Sequence, residues 1–137
     1  MKMLVINAEN LILGRMATFA AKQALLGQEV RVINADKAVV SGARKTTFAD
    51  DRQSRERGTP AKGPFIPRKA DRYVRRVIRG MLPYKLPKGV DAFRRVLCYV
   101  GIPEEFKDAQ TVDLAHAKVD KLPTTKYVKV QDILSFA

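Results

Sequence analysis

Residues Met3–Ile33, "MLVINAENLILGRMATFAAKQALLGQEVRVI", hold three hydrophobic patterns in succession. Met3–Ile6 is a short apolar run of strand type. Asn7–Asn10 reads as a turn, with Asn10 placed to cap a helix N-terminus. Over Leu11–Leu26 the period lengthens to that of a helix. Ile12, Met16, Phe19 and Ala20 share one face, and Arg15, Thr18 and Lys22 share another. Gly27 suits a C-terminal stop, and Val30–Ile33 is a second strand. Strand, helix and strand in so short a span form a βαβ unit, which predicts two parallel strands.

Beyond this unit, Val39–Val40 is a candidate short third strand. Arg44–Arg57 is polar, with Phe48 its one large apolar residue, and predicts a surface helix. Gly58–Pro67, "GTPAKGPFIP", is too rich in glycine and proline for a regular element and predicts an extended segment. Pro67 is placed to open a helix over Arg68–Arg79. Ala70, Tyr73, Val74, Val77 and Ile78 form its apolar stripe, and Arg68, Arg72, Arg75, Arg76 and Arg79 are expected opposite that stripe. Gly80 is expected to end it in a left-handed conformation. A short helix over Val90–Arg95 and a buried strand over Val96–Val100 follow. In the tail, Tyr127–Val130 alternates like a strand, and Ile133, Leu134 and Phe136 suit a docked terminal helix. Without repeats or low-complexity tracts, residues 1–137 read as one domain, with an extended segment at 58–67 and a tail at 104–137 that is harder to read.

Charge narrows the function. The chain has 26 Lys+Arg against 14 Asp+Glu, a net +12. Arg44–Arg95 holds 16 basic and 5 acidic residues, a net +11, so the remainder is close to neutral. A block of positive charge this localised is the footprint of a nucleic-acid contact, or less often of an anionic membrane. Arginine outnumbers lysine there by 11 to 5, which favours forked contacts to phosphate and stacking on bases. The arginines of the second basic helix repel one another by a few tenths of a kcal/mol per pair, a cost that a polyanion relieves. With no aromatic RNA-binding strand motif, zinc spacing or basic zipper, shape and phosphate recognition of folded RNA fits better than base reading of DNA.

Other chemistries find little support. Asp36 stands after the second strand, where a dinucleotide-binding fold places its ribose acid, but "AENLILGRMA" lacks the phosphate-binding glycines. A nucleotide-using enzyme would have to bind without them, and a thermal-shift screen with nucleotides separates that reading. His116 is the only histidine; Asp113 and Asp120 lie near it in sequence without metal-ligand spacing. Cys98 is the only cysteine, sits in the apolar run "VLCYV" and reads as a buried thiol in a reducing compartment. No apolar run is long enough for a membrane span, and the N-terminus reads as a strand rather than a signal peptide.

"RRVIRGMLPYKLPKGVDAFRRVLCYVGIP" (Arg75–Pro103), "INADKAVVSG" (Ile33–Gly42) and "LGRMA" (Leu13–Ala17) together resemble the ribosomal large-subunit protein thirteen family. Tyr99 and Val100 stand transposed relative to the family's usual order. The stretch from Arg57 to Lys85 is similar to the archaeal and eukaryotic cytosolic branch, and the short C-terminus favours the archaeal form. The resemblance implies an α/β fold, three-layer α/β/α, around a four-stranded, mainly parallel sheet. It also implies a structural, non-enzymatic role in the large ribosomal subunit: binding large-subunit ribosomal RNA and supporting assembly and translation in the cytoplasm. No cofactor, metal, membrane or small-molecule substrate is expected; the partners are that RNA and neighbouring ribosomal proteins. An RNA-binding regulator outside the ribosome remains an alternative with the same surface, which cosedimentation with the large subunit tests.

The basic faces, with the positions of these strings, give the expected RNA contacts. They are Arg15 and Lys37 in the first part of the chain, then Arg44, Lys45, Arg52, Arg55 and Arg57 on the first basic helix. Lys62 follows on the extended segment, then Arg68, Lys69, Arg72, Arg75, Arg76 and Arg79 on the second basic helix. Lys85, Lys88, Arg94 and Arg95 complete the set. Gly80, Met81, Leu82, Pro83 and Gly89 form a structural turn, with Met81 and Leu82 expected to anchor it and Arg79, Lys85 and Lys88 held outward.

Overall fold

The computed structural model describes residues 2–135. Phe136, expected in a terminal helix, lies outside the described residues. The βαβ unit is present: β1 (Met3–Asn7), α1 (Leu13–Leu25) and β2 (Glu29–Ile33). β1 and β2 pair in parallel, with Met3 opposite Glu29 and Asn7 opposite Ile33. A strand much later in the chain, β4, joins the other edge of β2. Before it come β3 (Val39–Ser41), α2 (Arg44–Glu56), α3 (Ala70–Gly80) and α4 (Pro87–Arg94). β4 (Val96–Cys98) is parallel to β2, with Val30 opposite Val96. The chain then reaches β5 (Tyr127–Lys129) and α5 (Val130–Ser135).

The class is α/β with a parallel main sheet, but the strand count differs from the expected four. The main sheet has three strands in the order β1-β2-β4, and β3 pairs antiparallel with β5 in a separate two-stranded sheet. Only Asn34–Ala38 separate β2 from β3, and a parallel crossover takes about a dozen residues or more. The link is instead a tight turn, with Asn34 left-handed at φ 55°.

Alternation places Ile6, Val30, Val32, Val96 and Cys98 on one sheet face, in a core with Met16, Ala17, Ala20 and Ala24 of α1. Val74 and Ile78 of α3 and Ala92 of α4 complete that layer. The small alanines of α1 let the two later helices come close. On the other face Val5 and Ile33 meet Phe106, Tyr99 and Ala109, side chains from a strand end and a turn rather than from an α-helix. Phe106 and Tyr99 rings lie 5.6 Å apart. The difficult tail wraps back over β1: Val112 N–H donates to Val5 O at 2.9 Å, and Leu114 and Ala117 enter the core.

Helix starts differ from expectation. Asn10 is left-handed at φ 60° and does not cap α1, whose N-cap is Ile12 with no side-chain hydrogen bond. Pro67 lies ahead of α3, whose N-cap is Lys69. Gly27 does end α1, at φ 94°. Gly80 is the last residue of α3 and is absent from the glycines with positive φ, so it is no left-handed cap.

Candidate nucleic-acid interface

α3 carries a buried stripe and two kinds of arginine. Val74 and Ile78 are fully buried. Arg72 and Arg76 are exposed, whereas Arg75 and Arg79 are half-buried. Arg75 does not simply point outward. Its Nε donates to Val96 O at 2.8 Å and a terminal nitrogen donates to Phe93 O at 3.1 Å. Its guanidinium also lies 3.9 Å over the Phe93 ring. Arg75 therefore ties α3 to α4 and β4. Arg79 is not held fully outward either: its guanidinium lies 4.8 Å over the Tyr84 ring, and its Nε is buried without a partner.

Two further arginines of the basic block are braces. Arg55 pairs with Asp51 at 2.8 Å, both side chains nearly buried, and donates to Pro67 O at 3.3 Å. This pins α2 to the Pro-Gly segment. Arg95 donates to Ala24 O at 2.9 Å, near the end of α1, where unpaired carbonyls favour a cation. Arg31 has the same kind of role, donating to Arg95 O at 2.9 Å, and was not singled out by charge clustering.

Most of the other expected cations are exposed: Arg15, Arg44, Lys45, Arg52, Arg57, Lys62, Arg68, Lys69, Lys85, Lys88 and Arg94, while Lys37 is half-buried. Arg15 donates to His116 O at 3.1 Å, and Arg44 lies 4.8 Å over the Phe48 ring. Arg52 pairs with Glu56 at 3.0 Å; this exposed pair adds little stability. Arg94 reaches Asp91 at 4.0 Å.

Six of the eighteen converge on one cavity of about 660 Å³, lined by Arg68, Lys69, Arg72, Arg75, Arg76 and Arg79 together with Phe65, Ile66, Pro67 and Phe93. Among the described residues no acidic side chain lines it. Such a wall of cations around a concave surface focuses positive potential and draws in phosphate. Arg15, Lys37 and the α2 cations are not part of its lining. Phe65 and Phe93 were not singled out as site residues. An exposed aromatic inside a Pro-Gly segment beside arginines is the signal that could have found Phe65.

The turn after α3 is closed by backbone hydrogen bonds, Leu82 N–H to Arg79 O at 3.1 Å and Leu86 N–H to Pro83 O at 2.9 Å. Leu82 is buried and anchors it. Met81 is 42% exposed, so it is not the core anchor expected; its Sδ instead lies 3.5 Å from Thr18 Oγ1. Pro87 occupies the first turn of α4, where its missing N–H costs nothing. Gly89 is required by space: a Cβ there would collide with the Pro83 carbonyl and Tyr84 N.

Of the residues weighed for catalysis, Cys98 is buried and His116 exposed. Burial pushes the Cys98 thiol up to about 12, partly opposed by Arg75 and assisted by Asp71. A thiol held neutral in the core is a poor nucleophile. Burial likewise raises the Tyr73 phenol, with Asp51 adding and Arg55 opposing. Among the described residues no group of three or more His, Cys, Asp or Glu could hold a metal, and no helix is long and apolar enough to cross a membrane.

The family model described as Ribosomal protein L13 matches residues 1–105. A large ribosomal subunit protein uL13 of Methanosarcina barkeri is 47% identical over 132 residues, covering 96% of this chain and 94% of the relative. The protein of the same name from Methanococcoides burtonii is 46% identical, with 96% and 94% covered. That of Methanopyrus kandleri is 40% identical, with 94% and 82% covered. The match runs through the βαβ unit, the basic helices and the turn after α3 alike, and the relatives are archaeal. The chain belongs to the Ribosomal protein L13 family, in its archaeal-like form.

Proposed function

We propose that this protein is a structural, non-enzymatic constituent of the large ribosomal subunit. It binds large-subunit ribosomal RNA through α3, the corner after it and the exposed cations of α2 and α4, acting as one domain in the cytoplasmic ribosome beside other large-subunit proteins. The observation that carries this reading is the cation-lined cavity free of acidic side chains, on a chain whose relatives bear the name large ribosomal subunit protein. Exposed cations near phosphate position the protein without demanding a base sequence. Arg55, Arg75 and Arg95 support the surface from below by fixing the elements that carry it. Sedimentation of cell extracts through a sucrose gradient tests the role. Stoichiometric recovery with the large subunit after a high-salt wash is expected, and absence from that fraction overturns it.

A further inference from the structure

The cavity on α3 contains more than charge. Phe65 is 69% exposed, an unusual position for a large apolar ring. Two arginines reach the backbone here: Arg76 meets Phe65 O at 3.5 Å, and Arg55 holds Pro67 O, two residues on, at 3.3 Å. Beneath the ring sits Gly63, where a Cβ would come within 3.2 Å of the ring carbons. A second flat surface lines the same cavity. Arg75 is locked over Phe93 by its stack and its two carbonyl hydrogen bonds, so its guanidinium is a fixed plate rather than a mobile charge. Arg72 and Arg76, both exposed, supply cations that reach solvent.

Phosphate alone explains the arginines but not the ring. A base-paired helix keeps its bases stacked inside, so an exposed phenyl gains nothing from its backbone; an unpaired nucleotide offers a π-face. We propose that this cavity is a slot for an unpaired ribonucleotide, its base stacked on Phe65 and its phosphates held by Arg72 and Arg76. This rests on the RNA-binding reading above and adds to it the form of RNA that the cavity takes.

The test uses the full chain and three probes: a short single-stranded oligoribonucleotide carrying one 2-aminopurine, a blunt RNA duplex of the same length, and oligoglutamate as a charge-only competitor. Wild-type protein is expected to change the 2-aminopurine fluorescence, and Phe65→Leu to lose that change and bind the single strand about tenfold more weakly. The same substitution should leave duplex binding within about twofold, and Phe65→Trp should restore the single-strand affinity. Arg72→Ala with Arg76→Ala should weaken both RNAs. Because the ring is exposed, the melting temperature of Phe65→Leu should match wild type; if it does not, Phe65→Trp alone decides. A silent Phe65→Leu with intact RNA binding, or displacement of the single strand by oligoglutamate as readily as by RNA, overturns the slot and leaves RNA binding standing. Failure of wild type to bind either RNA overturns both.

Discussion

Arg75 satisfies two backbone carbonyls, of Phe93 and Val96, while Arg72, one turn earlier on α3, faces solvent. Removing the first leaves the carbonyl of buried Val96 without its side-chain donor, costs the Phe93 carbonyl one of its donors and strips a cation from an aromatic face; removing the second leaves nothing behind. Arg75→Ala should therefore lower unfolding free energy by about 2–3 kcal/mol, and Arg72→Ala by less than about 0.5, as read by urea denaturation. Equal effects would contradict these roles. The two glycines of the corner separate in the same way. Gly80 is helical with open space where its Cβ would stand, so Gly80→Ala should stabilise by about 0.5–1 kcal/mol. Gly89→Ala should destabilise by about 1–3 kcal/mol, because the backbone at Pro83 must move. Cys98 gives a pH signature. Its folded-state pKa is raised from 9.0 to about 12, so its contribution to stability is fully present below the unfolded value and is lost as pH rises towards the folded one. Between these limits wild type should lose stability more steeply with pH than Cys98→Ala. Parallel slopes in chemical denaturation would show that the thiol is not held neutral.

Among the elements, α2 stands apart. It has no buried residue, while α1 and α3 each bury several. Its ties to the rest of the chain include the Arg55 bond to Pro67 O and packing beside β5 and Ile133 of α5. Local opening is cheapest where least apolar surface is covered. Hydrogen–deuterium exchange should reach the α2 amides well before those of α1 and α3, and bound ribosomal RNA should slow it. Uniform exchange across the three helices would contradict this. The surface nature of α2, the period of α1 and the short apolar runs of β1 and β2 are all local patterns and could be read from the chain. Helix starts could not be placed so closely, because none of α1–α4 has a side-chain cap hydrogen bond for Asn10 or Pro67 to signal. The pairing of β3 with β5 was also hidden: each has three residues, too few for alternation to name a partner.

Over the whole molecule, structure and charge divide by region. The main core draws on residues from Ile6 to Val130, so the basic block is fastened to the fold rather than appended to it. The excess of positive charge in Arg44–Arg95, and the convergence of six of its cations on one cavity with no acidic lining among the described residues, carry the proposal that the middle of the chain faces RNA. The basic block itself is legible from charge counting. Which arginines are braces is not, since Arg55, Arg75 and Arg95 bond to carbonyls whose positions depend on the tertiary fold. The most direct measurement is the salt dependence of affinity for a large-subunit ribosomal RNA fragment, comparing wild type with Arg72→Ala plus Arg76→Ala. Wild type should weaken steeply with salt. The double variant should show a shallower log–log slope, by about 0.7–0.9 for each phosphate it no longer neutralises, with its melting temperature unchanged. An unchanged slope and affinity in a folded double variant would contradict RNA binding through this face.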